Sequence, residues 1–400
     1  MARKSSDVQR LAGLELNALR LAGTLGDEFE KVRVPERGTT IFDLNGKPLF
    51  VRLPLSRGKE GLAYADIAVE PSLGAVLLAV SMGFHWKEAE LLAEAGRAAR
   101  KRRHSLKYDT VRFVAYSYPK IGVQFLAEHT EVLLLELVTW AEVPPARVDE
   151  RSAPPRHSNE GIPLGPFPSN FERWSFIDET PPAIRRARAR GFSTRIRNWD
   201  IGALHRIDPR TIRKSALEVR DLKLRLVDTR ELHYSPRGTD HHVCYELRGQ
   251  QTNVWCVGAS AEMLLNFYRY TYDQVRLAQE LGLGTLNNPS GLPYANVGLV
   301  VTVLEQLTSN ALDVTMHVNP TFNVFRDQIR ENRPLISFVP AHSRTVAGYT
   351  RNLMSIVNQL PYSGLLVYDP WPPNVGVITR WENFVTQTYQ YAYSAVLQQV

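Results

Sequence analysis

The period of the apolar positions changes several times along the chain. Leu11, Leu14, Ala18, Leu21 and Leu25 recur at helical spacing and predict a helix from Val8 to Lys31. Two alternating runs then flank Asn45-Gly46, the dipeptide that suits a tight hairpin turn because both central residues take positive φ. A second helix is predicted from His85 or Trp86 to Arg102, its basic end matching the negative pole of the helix dipole. Strand-like runs follow at Thr110 to Tyr118, Gly122 to Leu126 and Glu131 to Val138. Residues 1–142 therefore read as an α+β domain, and they carry no motif that points to chemistry.

Periodicity then breaks. Residues 143–169 hold Pro144-Pro145, Pro154-Pro155 and Pro163 to Pro168, the composition of an extended connector. Residues 170–245 read as a basic connecting or prosegment-like region. Within it Ala183 to Arg190 predicts a short helix after Pro181-Pro182, and Arg213 to Leu226 fits a helix or an edge strand equally well.

Regular patterning returns from residue 246 on. Met263, Leu264, Phe267 and Tyr268 set a helix that opens near Cys256, and a second helix runs to Leu281 before Gly282. A loop at Asn287 to Pro293 precedes a third helix, Val297 to Leu307. A strand from Leu312 to Val318, a helix from Phe322 to Glu331 and a strand from Pro334 to Val339 come next. Two strand-like runs bearing His342 and Asp369 follow, and Tyr389 to Gln398 is expected to close the sheet.

Candidate chemistry centres on Cys256. A cysteine at the start of a helix meets unpaired backbone N–H groups and the positive dipole end, both of which favour a thiolate. His342 and Asp369, each beside a short strand, supply a general base and an orienting carboxylate, so Cys256, His342 and Asp369 form a candidate nucleophile–base–orienter triad. Gln250, six positions before Cys256, offers a side-chain N–H beside the Cys256 backbone N–H as an oxyanion hole. Gln251 competes for that role on spacing, and Asn374 is a poorer substitute for Asp369 because Trp371-Pro372-Pro373 carries the chain away.

These residues resemble a known family. Gln250, Trp255-Cys256, the helix Ala259-Ser260-Ala261-Glu262-Met263-Leu264-Leu265, Leu277 to Gly282, Arg333-Pro334-Leu335-Ile336, His342 with Gly348-Tyr349, and Asp369-Pro370 stand in the order found in bacterial papain-like cysteine peptidases. The bacteriocin-leader-processing and secreted-effector types are the nearest by pattern. There are two departures: Val257 stands where an aromatic residue is common, and Ser343-Arg344 where an apolar strand is usual. The resemblance implies a papain-like domain over 246–400, with a helical lobe bearing the cysteine and an antiparallel sheet lobe bearing the histidine and aspartate. A separate α+β domain would precede it, giving an α+β chain overall. It implies peptide-bond cleavage through an acyl-enzyme, with a protein or peptide as substrate. A deamidase or transglutaminase-like acyl transferase is the alternative on the same triad, and a non-catalytic binding module is the alternative on the same fold.

Composition narrows the setting. The 400 residues are 44% hydrophobic, enough for ordinary buried cores. Two cysteines make no disulfide framework, and a reactive thiol fits a reducing, cytoplasmic setting, though a specialised export route leaves no signature in sequence. Leu11 to Gly23 is broken by Glu15, Asn17 and Arg20, which argues against a Sec signal, and no apolar run reaches a membrane span. The net charge is +7 and the pI about 9.3, yet no nucleic-acid-binding motif accompanies the basic clusters; solvated helix faces account for them. No cofactor or metal is called for. His241-His242-Val243-Cys244 is the one metal-like tract and lacks further ligands, while Cys244 is a candidate for reversible pairing with Cys256. The amino-terminal domain, residues 1–142, offers a surface for a protein partner.

Overall fold

The computed structural model describes residues 5–145, 156–157, 163–164, 173–199, 208–213, 227–232, 245–352 and 363–398. Its first part comprises helix α1 (Ser5–Leu21), strands β1 (Thr39–Asp43), β2 (Pro48–Arg57), β3 (Glu60–Ala68) and β4 (Leu77–Met82), helix α2 (Glu88–Arg102), and strands β5 (Thr110–Ser117), β6 (Lys120–Ala127) and β7 (Thr130–Glu136). Helices α3 (Phe176–Glu179) and α4 (Pro182–Trp199) and strand β8 (Val227–Glu231) follow. The last part holds helices α5 (Cys256–Phe267), α6 (Gln274–Leu281) and α7 (Leu299–Leu307), strand β9 (Leu312–Val318) and helix α8 (Phe322–Arg330). Strands β10 (Leu335–Val339), β11 (His342–Asn352), β12 (Ser363–Asp369), β13 (Val377–Asn383) and β14 (Tyr391–Leu397) end it.

Most of these elements obey the patterns that predicted them. Gly46 takes φ 87° in the turn between β1 and β2, and α6 starts on the Asp273 side-chain cap and stops at Gly282 in the left-handed region. Helix α1 is shorter than the expected Val8 to Lys31. It ends at Leu21, where Gly23 at φ 75° turns the chain and the Thr24 N–H bonds back to the Leu19 carbonyl. The basic helix expected at Ala183 to Arg190 extends over Pro182–Trp199, and buried Arg195 pairs with Glu15 of α1 at 2.6 Å. Arg213 begins a stretch, 214–226, that lies outside the described residues, as do most of the proline-rich connector and the tract from His241 to Cys244.

These fourteen strands belong to one sheet, and two short ribbons, Arg156–His157 with Pro163–Leu164 and Gly284–Thr285 with Asn288–Pro289, stand apart from it. The order of the sheet is β9-β14-β10-β11-β12-β13-β4-β3-β2-β1-β5-β6-β7, with β8 added to the far half of β11. Pairing is antiparallel except between β1 and β5. One sequence expectation is corrected here. Strand β14 does not close the sheet; it lies between β9 and β10, which leaves β9 at the edge. The amino-terminal part adds its strands to the same sheet, because β13 pairs with β4 from Ile378↔Met82 to Glu382↔Ala79. The expected boundary near residue 142 is thus no boundary of the sheet.

Two large hydrophobic clusters flank this seam. One gathers α1, α2 and strands β1–β7, and the other gathers α5–α8 and strands β9–β12 and β14. Trp371 and Trp381, from the carboxy-terminal part, are buried in the first cluster. Trp174 and Leu232 cross in the other direction. The seam is therefore packed as well as hydrogen-bonded.

Candidate active site

Residues from three remote stretches meet where β11 and β12 begin and end. His342 opens β11 immediately after the two-residue turn Pro340-Ala341, and Asp369 ends the neighbouring β12. His342 Nε2 and Asp369 Oδ1 lie 2.6 Å apart. Oδ1 also accepts the Trp371 backbone N–H at 2.9 Å, which fixes the carboxylate. The turn before His342 is clamped from both halves of the chain. The Ala341 N–H donates to the Tyr294 hydroxyl at 3.2 Å, and the Ser117 hydroxyl donates to the Pro340 carbonyl at 2.7 Å.

Cys256 is the first residue of α5 and is 4% exposed. The preceding Trp255 is fully buried and donates its indole N–H to the Leu283 carbonyl at 2.8 Å, anchoring the helix start. The backbone N–H groups of Ser343, one residue past His342, and of Val257 favour the thiolate form, and Ser343 is tied to the Cys256 helix through Ser260. Cysteine, histidine and aspartate are thus brought to one place. His342 Nδ1 has no hydrogen-bond partner among the described residues.

Burial governs the charge states. It pushes the Cys256 thiol up; Lys120 and the Ser343 N–H oppose the rise, and Asp369 adds to it. Burial likewise pushes the His342 imidazole down; Asp369 opposes, while Lys120 and Arg344 reinforce. Both shifts act against the charged thiolate–imidazolium pair.

Gln250 is fully buried, whereas Gln251 is exposed and only its backbone N–H is engaged, by Gln274 Oε1. Gln250 is stitched to the segment after Asp369: its N–H donates to the Pro370 carbonyl and its own carbonyl accepts the Asn374 N–H, at 2.9 and 2.8 Å. Gly249 makes this approach feasible, since a Cβ there would come within 2.7 Å of the Val375 backbone nitrogen. The Gln250 amide donates to the Thr252 carbonyl at 2.7 Å, which occupies one of its two N–H bonds. Asn374 is exposed and meets Gln250 through its backbone.

The polar Ser343-Arg344 departure has a structural explanation. The Ser343 hydroxyl donates to Ser260 of α5 at 3.0 Å. Arg344 is fully buried against Glu382 of β13, whose carboxylate also accepts from Tyr389 and Gln387 at 2.6 and 3.1 Å. Periodicity missed a further contribution. Tyr116, Lys120 and Glu136, from β5, β6 and β7, line a small cavity with Asn253 and Val254, just ahead of Cys256. A signal was available only in the chemistry, as charged residues at the ends of otherwise apolar strands.

Residues 244–398 match the Peptidase_C39 like family. The carboxy-terminal region thus resembles the papain-like cysteine peptidases over the length its motifs cover, and the match leaves out everything before residue 244. No curated protein matches the chain. Among solved structures, one described as a C39-like peptidase from Bacillus anthracis is 11% identical, with a TM-score of 0.28, and covers 43% of this chain and 100% of its own. UfSP from C. elegans is 14% identical, with a TM-score of 0.25, and covers 43% of this chain; the match takes in 34% of UfSP. No described helix is long and apolar enough to cross a membrane, and no metal-binding cluster occurs among the described residues.

Proposed function

We propose that the chain is a cysteine peptidase whose reacting group is Cys256. The observation that carries this reading is the hydrogen bond between His342 Nε2 and Asp369 Oδ1. It fixes the ring and leaves Nδ1 for the thiol, whose helix is tied through Ser260 to Ser343, the next residue of the same strand. As Sγ attacks a peptide carbonyl, Nδ1 takes the thiol proton, and the S–C bond forms. The C–N bond then breaks as the imidazolium returns that proton to the leaving amine. Water, deprotonated by the same nitrogen, attacks the thioester carbonyl; the C–S bond breaks, the acid is released, and the imidazolium returns its proton to Sγ. Asp369 holds the ring and favours the imidazolium. The Cys256 backbone N–H and the second N–H of the Gln250 amide are assigned to the oxyanion. On this reading helices α5–α7 and the sheet bearing His342 and Asp369 are the two lobes of a papain-like domain. The match over 244–398 supports the assignment.

The test is incubation of the full chain with a mixed peptide library, followed by mass analysis of the products. Cleaved peptides from wild type and none from Cys256→Ala are expected. Intact peptides heavier by about one dalton would instead mark a deamidase working through the same acyl-enzyme.

A further inference from the structure

The amino-terminal part brings a charge beside the segment that leads into Cys256. Lys120 opens β6, is 4% exposed, and lines the cavity that Asn253 and Val254 bound on the other side. Its ammonium lies over the Tyr116 ring, 5.1 Å from the centroid. Its hairpin is fixed to the catalytic segments at two points. Ser117 donates to the carbonyl of Pro340, two residues before His342. Trp371, two residues past Asp369, donates its indole N–H to Glu136 at 2.9 Å, and Tyr116 donates to the same oxygen at 2.9 Å. A displacement of this hairpin would therefore be felt at His342 and Asp369 together.

We propose that Lys120 is a positioning residue of the thiol site: its ammonium stabilises the anionic sulfur of Cys256, so that residues 1–142 complete the active site rather than merely precede it. The proposal rests on Cys256 being the reacting thiol. The titratable groups facing Cys256 are Lys120 from β6, Tyr116 from β5 and Asp369 from β12, with His342 bonded to Asp369 and Glu136 of β7 facing Lys120. Tyr116 is held neutral, its phenol well above the usual range through burial and Glu136. Among these groups Lys120 brings the positive charge. It opposes the rise that burial imposes on the thiol, and it also favours the uncharged imidazole that the first proton transfer needs.

The experiment titrates Cys256 directly, without turnover. The full chain, carrying Cys244→Ser and labelled with 13C at cysteine Cβ, is followed by NMR from pH 6 to 11. Lys120→Met is expected to raise the ionisation midpoint of Cys256 by roughly one pH unit. Lys120→Gln replaces it should the methionine variant fail to fold, as judged by circular dichroism and melting. Lys120→Arg keeps the charge and is expected to restore the wild-type midpoint. A folded neutral variant with an unchanged midpoint overturns the proposal, as does an arginine variant shifted as far as the neutral ones. Because no substrate is involved, a chain that cleaves no peptide can still give the predicted shift, which separates failure of the peptidase reading from failure of this one.

Discussion

At His342 two influences oppose each other: burial drives the imidazole toward neutrality, and the Asp369 carboxylate draws it back toward the charged form. Burial is the larger, so the ring gives up its proton at a lower pH than the ordinary value near 6.5. A base must be unprotonated to accept the thiol proton, so the acid limb of kcat/KM against pH is expected below pH 6.5. Asp369→Asn removes the opposing charge and is expected to move the limb further down while lowering kcat, by up to about 10⁴-fold if the wrong ring nitrogen then carries the proton. A wild-type limb near pH 7.5 would contradict this balance. Cys256 and His342 were legible in the sequence because each stands at the edge of a regular pattern, the cysteine before a helical period and the histidine before a strand. Lys120 was not. Its place beside Cys256 is created by sheet pairing between stretches far apart in the chain, and no local period encodes that.

Strand β13 shows how an element can hide. Its burial largely alternates as a strand should, yet Arg380 and Glu382 interrupt the apolar run, and Glu382 is buried against Arg344 of β11, with Tyr389 and Gln387 completing its partners. Strand β4 hides for the opposite reason: it is apolar on both faces and shows no alternation. These two unforeseen strands are the ones that join the halves of the sheet. Removing one partner of the fully buried pair strands a charge, so Glu382→Ala is expected to cost about 3–5 kcal/mol in urea unfolding. The joint replacement Arg344→Met with Glu382→Leu is expected to recover most of that loss. A single-variant cost within experimental error of zero would show that the pair is not closed off from water.

At the scale of the molecule, the site is a joint product of both halves. Gln250, Cys256, His342 and Asp369 are each 4% exposed or less, and Ser117, Lys120 and Glu136 come from the part that the family match leaves out. The carboxy-terminal part was legible as a unit because its motifs fall in one order along one stretch; its dependence on β4 was not, because strand neighbours are a property of the assembled sheet. A chain beginning at Tyr245 would expose the β13 edge together with Trp371 and Trp381. It is expected to aggregate or to lose its cooperative thermal transition, whereas a monomeric fragment that melts sharply would show the two halves to be independent. The most direct test of the central claim is to capture the acyl-enzyme. The full chain is mixed with a small activated acyl ester, quenched in acid and mapped by mass spectrometry. A thioester on Cys256, abolished by Cys256→Ala and strongly reduced by His342→Ala, is the predicted result. No adduct on Cys256, or an adduct formed as fast without His342, would contradict the account.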